Sequence, residues 1–333
     1  MSAPAPSVFS PAAESMAAKL GLTLGRANLE VFAETLVSLA GENRDVVAVT
    51  SDSRGSGKLV GFGETYPGQL VEVGIAEQNL VGITAGLAVC GKKAFGVSPS
   101  CFLTARALEQ IKNDICYSDV PAVLVGISAG VSYGALGTTH HSLHDIAVLR
   151  AINNLTILIP ADNQETRQSV QVAAAATRPV FLRFGKARMY DLPQLEENFT
   201  LGKAKTLRRG DDVAIFATGE TVVHGLLAAG QLAEKGIQAR VLSMHTIKPL
   251  DSEAILSNAR ACRAVITVEE HLEHGGLGEA VAGVMLRGGV TKPFRSVAIP
   301  DEETVTGSQA DIFRHYGISM EGLTEVALKL LRS

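Results

Sequence analysis

Residues 120–150 read VPAVLVGISAGVSYGALGTTHHSLHDIAVLR. The run Val120–Thr139 carries no charge and has the length of a bilayer helix, but only Pro121–Ile127 is densely apolar. Gly126, Gly130, Gly134 and Gly137, with Ser128, Ser132 and Thr138, interrupt the rest. A buried strand running into a glycine-rich loop accounts for that pattern, and a membrane span does not. A helix is expected over Ser142–Arg150, so the unit is strand, loop, helix, with imidazoles at the loop's end.

The same unit repeats on both sides. Upstream and downstream, strands are expected at Val46–Thr50, Leu70–Val73, Ala94–Val97, Thr156–Ile159 and Val180–Phe184, with helices at Ala76–Val89, Ala105–Cys116 and Asn163–Ala176. The strands are too continuously apolar for half-exposed hairpins, and their alternation with helices argues parallel sheets covered on both faces. Residues 191–209 are polar and contain Pro193. After them the rhythm restarts with strands at Val213–Ala217, Gln238–Leu242, Ala264–Val268 and Arg295–Ala298, and helices at Val222–Glu234, Ser252–Ala261, Glu279–Leu286 and onward. The expected fold class is α/β: two consecutive three-layer α/β/α domains with mainly parallel sheets. The expected divisions are a tail (1–20, with a short helix from Ala12), a first domain (21–190), a linker (191–209) and a second domain (210–333).

Composition narrows the function. The chain has 333 residues, 46% hydrophobic and 19% charged, and its net charge of −4 leaves no basic footprint for nucleic acid. A mean hydropathy of +0.20 excludes a mainly disordered chain. Cys90, Cys101, Cys116 and Cys262 form no CxxC pair and follow no leader pattern, so reduced thiols and a cytoplasmic location are expected.

In an open parallel sheet, ligands sit beyond the carboxyl ends of the strands. Three loops there carry chemistry. In Gly74-Ile75-Ala76-Glu77-Gln78-Asn79 a carboxylate opens a helix rich in glycine and alanine. It either complements the helix N-terminus or, stripped of water by close-packed backbone, shares a proton with a ligand nitrogen. In Ser98-Pro99-Ser100-Cys101-Phe102-Leu103, Phe102 either packs in the core or stacks on a heteroaromatic ring. The loop after Ile127 ends in His140, His141 and His144. His140 and His144 have the spacing of a zinc pair, but His141 replaces the glutamate of HExxH and no third ligand is evident, so no metal is assigned. Hydrogen bonding to a polar substrate suits His140; His144, beside Asp145, reads as a surface or capping residue.

The series Gly74–Asn79, then Arg106-Ala107-x-Glu109-Gln110-Ile111-Lys112-Asn113, then Gly137-x-Thr139-His140-x-Ser142-x-x-Asp145-Ile146-Ala147, then Ile159-Pro160-Ala161-Asp162, resembles the pyrimidine-binding domain of the transketolase family. Met244-x-Thr246-Ile247-Lys248-Pro249-Leu250-Asp251 and Thr267-Val268-Glu269-Glu270-His271…Gly275-Gly276-Leu277-Gly278 resemble that family's C-terminal domain. The family's Gly-Asp-Gly…Asn signature for Mg²⁺ and diphosphate is absent. The resemblance therefore implies the second subunit of a split transketolase. That subunit would be inactive alone and would share thiamine diphosphate with an N-terminal-half subunit that binds the Mg²⁺, in an α₂β₂ assembly.

Carried onto this chain, the resemblance places Glu77 at N1′ of the aminopyrimidine, where it favours the tautomer that takes the thiazolium proton. It makes Phe102 the stacking aromatic and Arg106 and the post-strand Asp52 cofactor neighbours. His140 would bond substrate hydroxyls, and Arg26 and Lys186 would meet a sugar phosphate. Ser128 stands where ordinary transketolases have a histidine, and Leu136 where they have an aspartate that recognises a donor hydroxyl. Thiamine chemistry with an unusual ketose (branched, deoxy or sulfonated) is the resulting expectation. The second domain is read as scaffolding, with no catalytic role for His245, His271 or His274.

Three rivals stay open. A 2-oxo acid dehydrogenase β subunit or a deoxyxylulose phosphate synthase-like chain shares the architecture and the glutamate. A nicotinamide dehydrogenase is suggested by Gly276-x-Gly278-x-x-Val281 with Asp301, although the third glycine is missing. A non-catalytic paralogue would tolerate loss of Glu77.

Overall fold

The computed structural model describes residues 7–193 and 199–332; residues 1–6 of the expected tail and 194–198 of the expected linker lie outside the described residues. The first half contributes β1 (Leu24–Ala27), β2 (Val46–Thr50), β3 (Leu70–Glu72), β4 (Lys93–Pro99), β5 (Val123–Ile127), β6 (Thr156–Leu158), β7 (Val180–Arg183) and β8 (Arg188–Tyr190). The second contributes β9 (Lys205–Arg208), β10 (Val213–Ala217), β11 (Ala239–Ser243), β12 (Thr246–Lys248), β13 (Ala264–Leu272) and β14 (Phe294–Ile299). Among the described residues these form a seven-stranded sheet in the order β12-β6-β7-β5-β4-β2-β3, a five-stranded sheet β14-β13-β10-β11-β9 and the pair β1-β8. Pairing inside both large sheets is parallel except at the β12 and β9 edges.

The continuous apolar runs are buried on both faces. Val46 and Ala48 face one core with Leu29, Phe32 and Leu36 of the helix Asn28–Glu42, while Val47 and Val49 face the other with Leu80 and Leu103. Each fully buried phenylalanine, such as Phe32 or Phe95, contributes roughly 1.5–3 kcal/mol by leaving water. The second of these cores runs on into the other half of the chain through Phe216, Leu242, Ile247 and Val281. The two lobes are thus one packed body. No helix among the described residues is long and apolar enough to cross a membrane.

Several expectations change. The short helix expected in the tail is present over Pro11–Lys19, capped by Ser10, but it does not hang free: its Ala13, Met16 and Ala17 are buried against the second lobe. The strand β1 and the helix Asn28–Glu42 fill a stretch for which no element was expected. The residues read as linker contain β9, an antiparallel edge on β11. The strand β12 joins the first lobe's sheet, with Thr246 opposite Leu158. The expected helix Ala105–Cys116 starts earlier, at Ser100, breaks at Ala107 (φ −107°, ψ 19°), resumes over Leu108–Gln110 and widens into π-type turns over Ile111–Tyr117.

Candidate active site

Four strand ends of the seven-stranded sheet, those of β3, β4, β5 and β7, deliver the site. After β3, Gly74 reverses the chain at φ +72°, an angle that favours glycine, and Glu77 enters the first turn of the helix Glu77–Val89. Leu80, Val81 and Thr84 turn that helix into the core and carry Glu77 with it, leaving Glu77 4% exposed. After β4, the helix Ser100–Arg106 presents Phe102 and, one turn on, Arg106. The Arg106 guanidinium carbon lies 4.3 Å from the centre of the Phe102 ring, while Nη1 donates to Glu77 Oε1 at 2.8 Å. The carboxylate expected to be desolvated by close-packed backbone is buried and, in addition, ion-paired to Arg106 at the end of the next helix.

The loop after β5 brings His140 edge-on to Phe102 at 5.2 Å and edge-on to Tyr133 at 5.6 Å. After β7, Lys186 places its ammonium 3.9 Å above the Tyr133 ring. Glu77, Arg106, Phe102, His140, Tyr133 and Lys186 therefore form an unbroken chain of contacts. Burial would push the Tyr133 phenol up, but the Ser128 and Ser56 hydroxyls and the Lys186 ammonium outweigh it and hold the phenol below its ordinary range. Ser128 is buried at φ +53°, its hydroxyl facing the phenol without a hydrogen bond of ordinary geometry.

A buried hub holds these pieces. Asp145 Oδ2 accepts from Ser100 Oγ at 2.7 Å, Ser142 Oγ at 2.9 Å and Arg183 Nε at 2.8 Å, and so ties the Phe102 helix, the His140 loop and β7 together. Burial alone would raise its carboxyl; Arg183 and His271 overcome this and hold it at about 2. Arg183 also donates to the Ser142 and Glu270 carbonyls.

Other expected residues stand apart from this chain. Arg26 is exposed and paired with Glu34 and Glu30 on the next helix. Asp52 is exposed at φ +53°, its amide donating to Glu72 Oε1. Leu136 is 56% exposed, three residues beyond Tyr133 on a turn that the Leu136 amide closes onto the Tyr133 carbonyl. His144 meets Thr104 Oγ1 at 3.2 Å and does not cap its helix. Among the described residues no group of three or more His, Cys, Asp or Glu side chains is arranged to hold a metal ion.

The dinucleotide-like glycines have a different use. The amides of Leu277 and Gly278 donate to the Glu269 carboxylate at 2.6 and 2.7 Å, and a Cβ on Gly276 would sit 2.1 Å from Glu269 Oε2. The helix N-terminus that a pyrophosphate would need is already taken by an internal carboxyl group.

Tyr133, Arg183 and Asp145 were missed as site-building residues. Arg183 had a visible signal, a charge inside the apolar run Val180–Phe184. Tyr133 had none, being one residue of a glycine-rich loop.

Both halves of the chain are similar to known proteins. The family model described as transketolase, pyrimidine binding domain matches residues 25–190, and that described as transketolase, C-terminal domain matches residues 202–323. An apulose-4-phosphate transketolase subunit of Phocaeicola vulgatus is 48% identical over 302 residues, covering 90% of this chain and 96% of that one. The 6-deoxy-6-sulfo-D-fructose transketolase subunit SqwH of Clostridium sp. (strain MSTE9) is 33% identical over 298 residues, covering 90% and 92%. A solved structure described as a split gene transketolase, inactive beta4 tetramer, superposes with a TM-score of 0.84 at 33% identity, covering 92% of this chain and 99% of that one.

Proposed function

This chain belongs to the transketolase family, and from that premise we propose that it is the second subunit of a split thiamine diphosphate-dependent transketolase, transferring a two-carbon ketol unit from a ketose to an aldose. One observation carries the reading. The Arg106 guanidinium, a flat N–H donor, lies over Phe102 while donating to the buried Glu77. Those are the two contacts a flat aminopyrimidine requires, so the residues fit that ring.

When bound, thiamine diphosphate supplies the carbanion chemistry that cleaving a carbon–carbon bond beside a carbonyl needs. Glu77 accepts from the ring and shares the proton at N1′. Phe102 offers it one face, and the half-exposed Arg106 side chain moves aside toward the rim. His140 orients substrate hydroxyls, and Lys186, resting on Tyr133, meets an anionic group of the sugar as a point charge. Ser128 lies beside Tyr133 in the same wall. Asp52 keeps its proposed place beside the cofactor and Arg26 its proposed role toward a sugar phosphate, although both side chains stand apart from the contact chain. Because the Gly-Asp-Gly signature is absent, the diphosphate and Mg²⁺ fall to an N-terminal-half subunit, in an α₂β₂ assembly.

The relatives named for apulose 4-phosphate and 6-deoxy-6-sulfo-D-fructose support an unusual ketose as donor, as does Leu136 in place of a carboxylate. The test is reconstitution with the N-terminal-half subunit. Glu77→Gln should lower kcat at least ~100-fold with assembly intact; full activity would overturn the reading. Highest kcat/KM on xylulose 5-phosphate would refute the unusual donor, and decarboxylation of pyruvate would move the chain toward its 2-oxo acid dehydrogenase or deoxyxylulose phosphate synthase relatives.

A further inference from the structure

Behind the site, two carboxylates of the second lobe face the two loops that meet at Lys186 and Tyr133. Glu270, in β13, accepts from the Val131 amide at 2.9 Å, two residues before Tyr133. Glu220, following β10, faces the Ala187 amide, one residue after Lys186. One side-chain amide joins the carboxylates: Gln309 Nε2 donates to Glu220 Oε2 and to Glu270 Oε1, each at 2.9 Å. The fit to the loops is tight. A Cβ on Gly130 would lie 2.1 Å from the Glu270 carboxyl carbon, and one on Gly185 would lie 2.1 Å from Glu220 Oε1. Both carboxylates are buried, at 3% and 5% exposure.

We propose that Glu220, Glu270 and Gln309 are positioning residues for the substrate's anionic end: the bridged pair sets the separation between the loop carrying Tyr133 and His140 and the segment carrying Lys186. The proposal rests on the reading of Lys186 and His140 as substrate-binding groups. It gives the second lobe a part in specificity that scaffolding alone does not. Two adjacent carboxylates are a poor choice for stability, since an apolar pair of similar volume would avoid their desolvation. They are a good choice for fixing backbone, since Glu270 accepts from the Val131 amide, Glu220 faces the Ala187 amide and Gln309 fixes the distance between the two carboxylates. Burial and the neighbouring Glu270 raise Glu220 to about 8, and burial with Asp145 raises Glu270 to about 7, Arg183 opposing both. The pair therefore retains a proton near neutral pH and does not fly apart.

The experiment uses the assembled enzyme, comparing a phosphorylated or sulfonated ketose donor with an uncharged ketose and measuring thiamine diphosphate affinity separately. Gln309→Leu and Glu270→Ala should each raise KM for the anionic donor about tenfold, leaving kcat, KM for the uncharged donor and cofactor affinity within about twofold. Glu270→Gln, whose amide oxygen can still accept from Val131, should restore most of the anionic-donor KM. Should Glu270→Ala fail to assemble, Gln309→Leu, which removes only the bridge, decides alone. An unchanged anionic-donor KM, or equal losses for both donors and the cofactor, would overturn the positioning role. If Glu77→Gln still abolishes turnover in that case, the functional reading survives; full activity of Glu77→Gln would remove the functional reading instead.

Discussion

Arg106 Nη1 lies 2.8 Å from Glu77 Oε1, joining a guanidinium that is half exposed to a carboxylate that is almost wholly buried. The asymmetry matters. A buried carboxylate needs a partner, and Arg106 is the partner that can leave, because its own side chain keeps contact with water. In the free subunit the pair keeps Glu77 satisfied; in the proposed holoenzyme the cofactor ring takes over the duty.

In the isolated subunit, Arg106→Ala should therefore lower stability by about 1 kcal/mol, a value reduced by the solvent around Arg106. Glu77→Gln should cost less, and the double variant should recover part of the loss, because no buried charge is then unpaired. A double-mutant cycle by urea denaturation checks this; strict additivity of the two changes would show that the pair is not coupled in solution.

Phe102 touches both Arg106 and His140, so its ring is the middle of the contact chain. Phe102→Leu keeps apolar volume but removes the flat face. In the assembled enzyme it should weaken thiamine diphosphate binding about tenfold, corresponding to about 1.4 kcal/mol, with little change in the subunit's melting temperature. Calorimetric titration of the cofactor measures it; equal affinity would mean that Phe102 does not face the cofactor.

The parallel strands were legible because β2, β5 and β10 are almost wholly apolar runs buried along their length. Short antiparallel edges were not. Four residues in β9 and three in β12 owe their form to partners far away in sequence, Val241–Ser243 and Ile157–Leu158, so local pattern carried no sign of them. Glu77, Phe102 and His140 stood out through their place after strand ends. The devices behind them did not, because Asp145 with Arg183, and Glu220 with Glu270 and Gln309, acquire meaning only when loops distant in sequence meet. The one local sign was charge in apolar strands, at Arg183 and at Glu269-Glu270.

The hub can be tested directly. Asp145 and Arg183 are both buried and 2.8 Å apart. Asp145→Asn leaves the Arg183 charge unopposed in the interior and should destabilise by about 3–5 kcal/mol. Asp145→Asn with Arg183→Met should be milder than Asp145→Asn alone. Chemical denaturation at neutral pH decides, and a double variant as unstable as the sum of its parts would rule out the ion pair as the cause.

Stability should fall as pH rises from about 6.5 to 8. Burial raises Glu220 to about 8 and Glu165, Glu269 and Glu270 to about 7, above the ordinary value near 4.3, so across this window the folded state holds protons the unfolded chain has lost. Each such proton sets a slope of about 1.4 kcal/mol per pH unit against folding. Below pH 6.5 the sign is contested: burial lowers His224, His245 and His271 to about 4, so the unfolded state binds protons that the folded state refuses. The four carboxyls outnumber the three imidazoles, so the histidines only soften the slope on that side; melting temperature should decline on the alkaline side of pH 6.5, and Glu220→Gln should flatten that decline. A melting temperature constant from pH 6.5 to 8.5 would contradict the burial of these carboxylates as charged groups.

Leu136 offers a change that should move specificity and little else. It is 56% exposed, so an aspartate there meets water and disturbs no core. It also stands on the Tyr133 turn, where ordinary transketolases are expected to carry the aspartate that recognises a donor hydroxyl. Leu136→Asp should therefore leave the subunit's stability within about 0.5 kcal/mol and leave cofactor affinity unchanged. In the assembled enzyme it should raise kcat/KM for xylulose 5-phosphate, relative to apulose 4-phosphate or 6-deoxy-6-sulfo-D-fructose, by about 5–20-fold, the amount one added hydrogen bond to a substrate hydroxyl supplies. Competition between two donors in one reaction reads that ratio without reference to enzyme concentration. If the ratio stays put while the protein is folded and loaded, donor choice is set elsewhere in the wall, with Ser128 and Tyr133 the next residues to exchange.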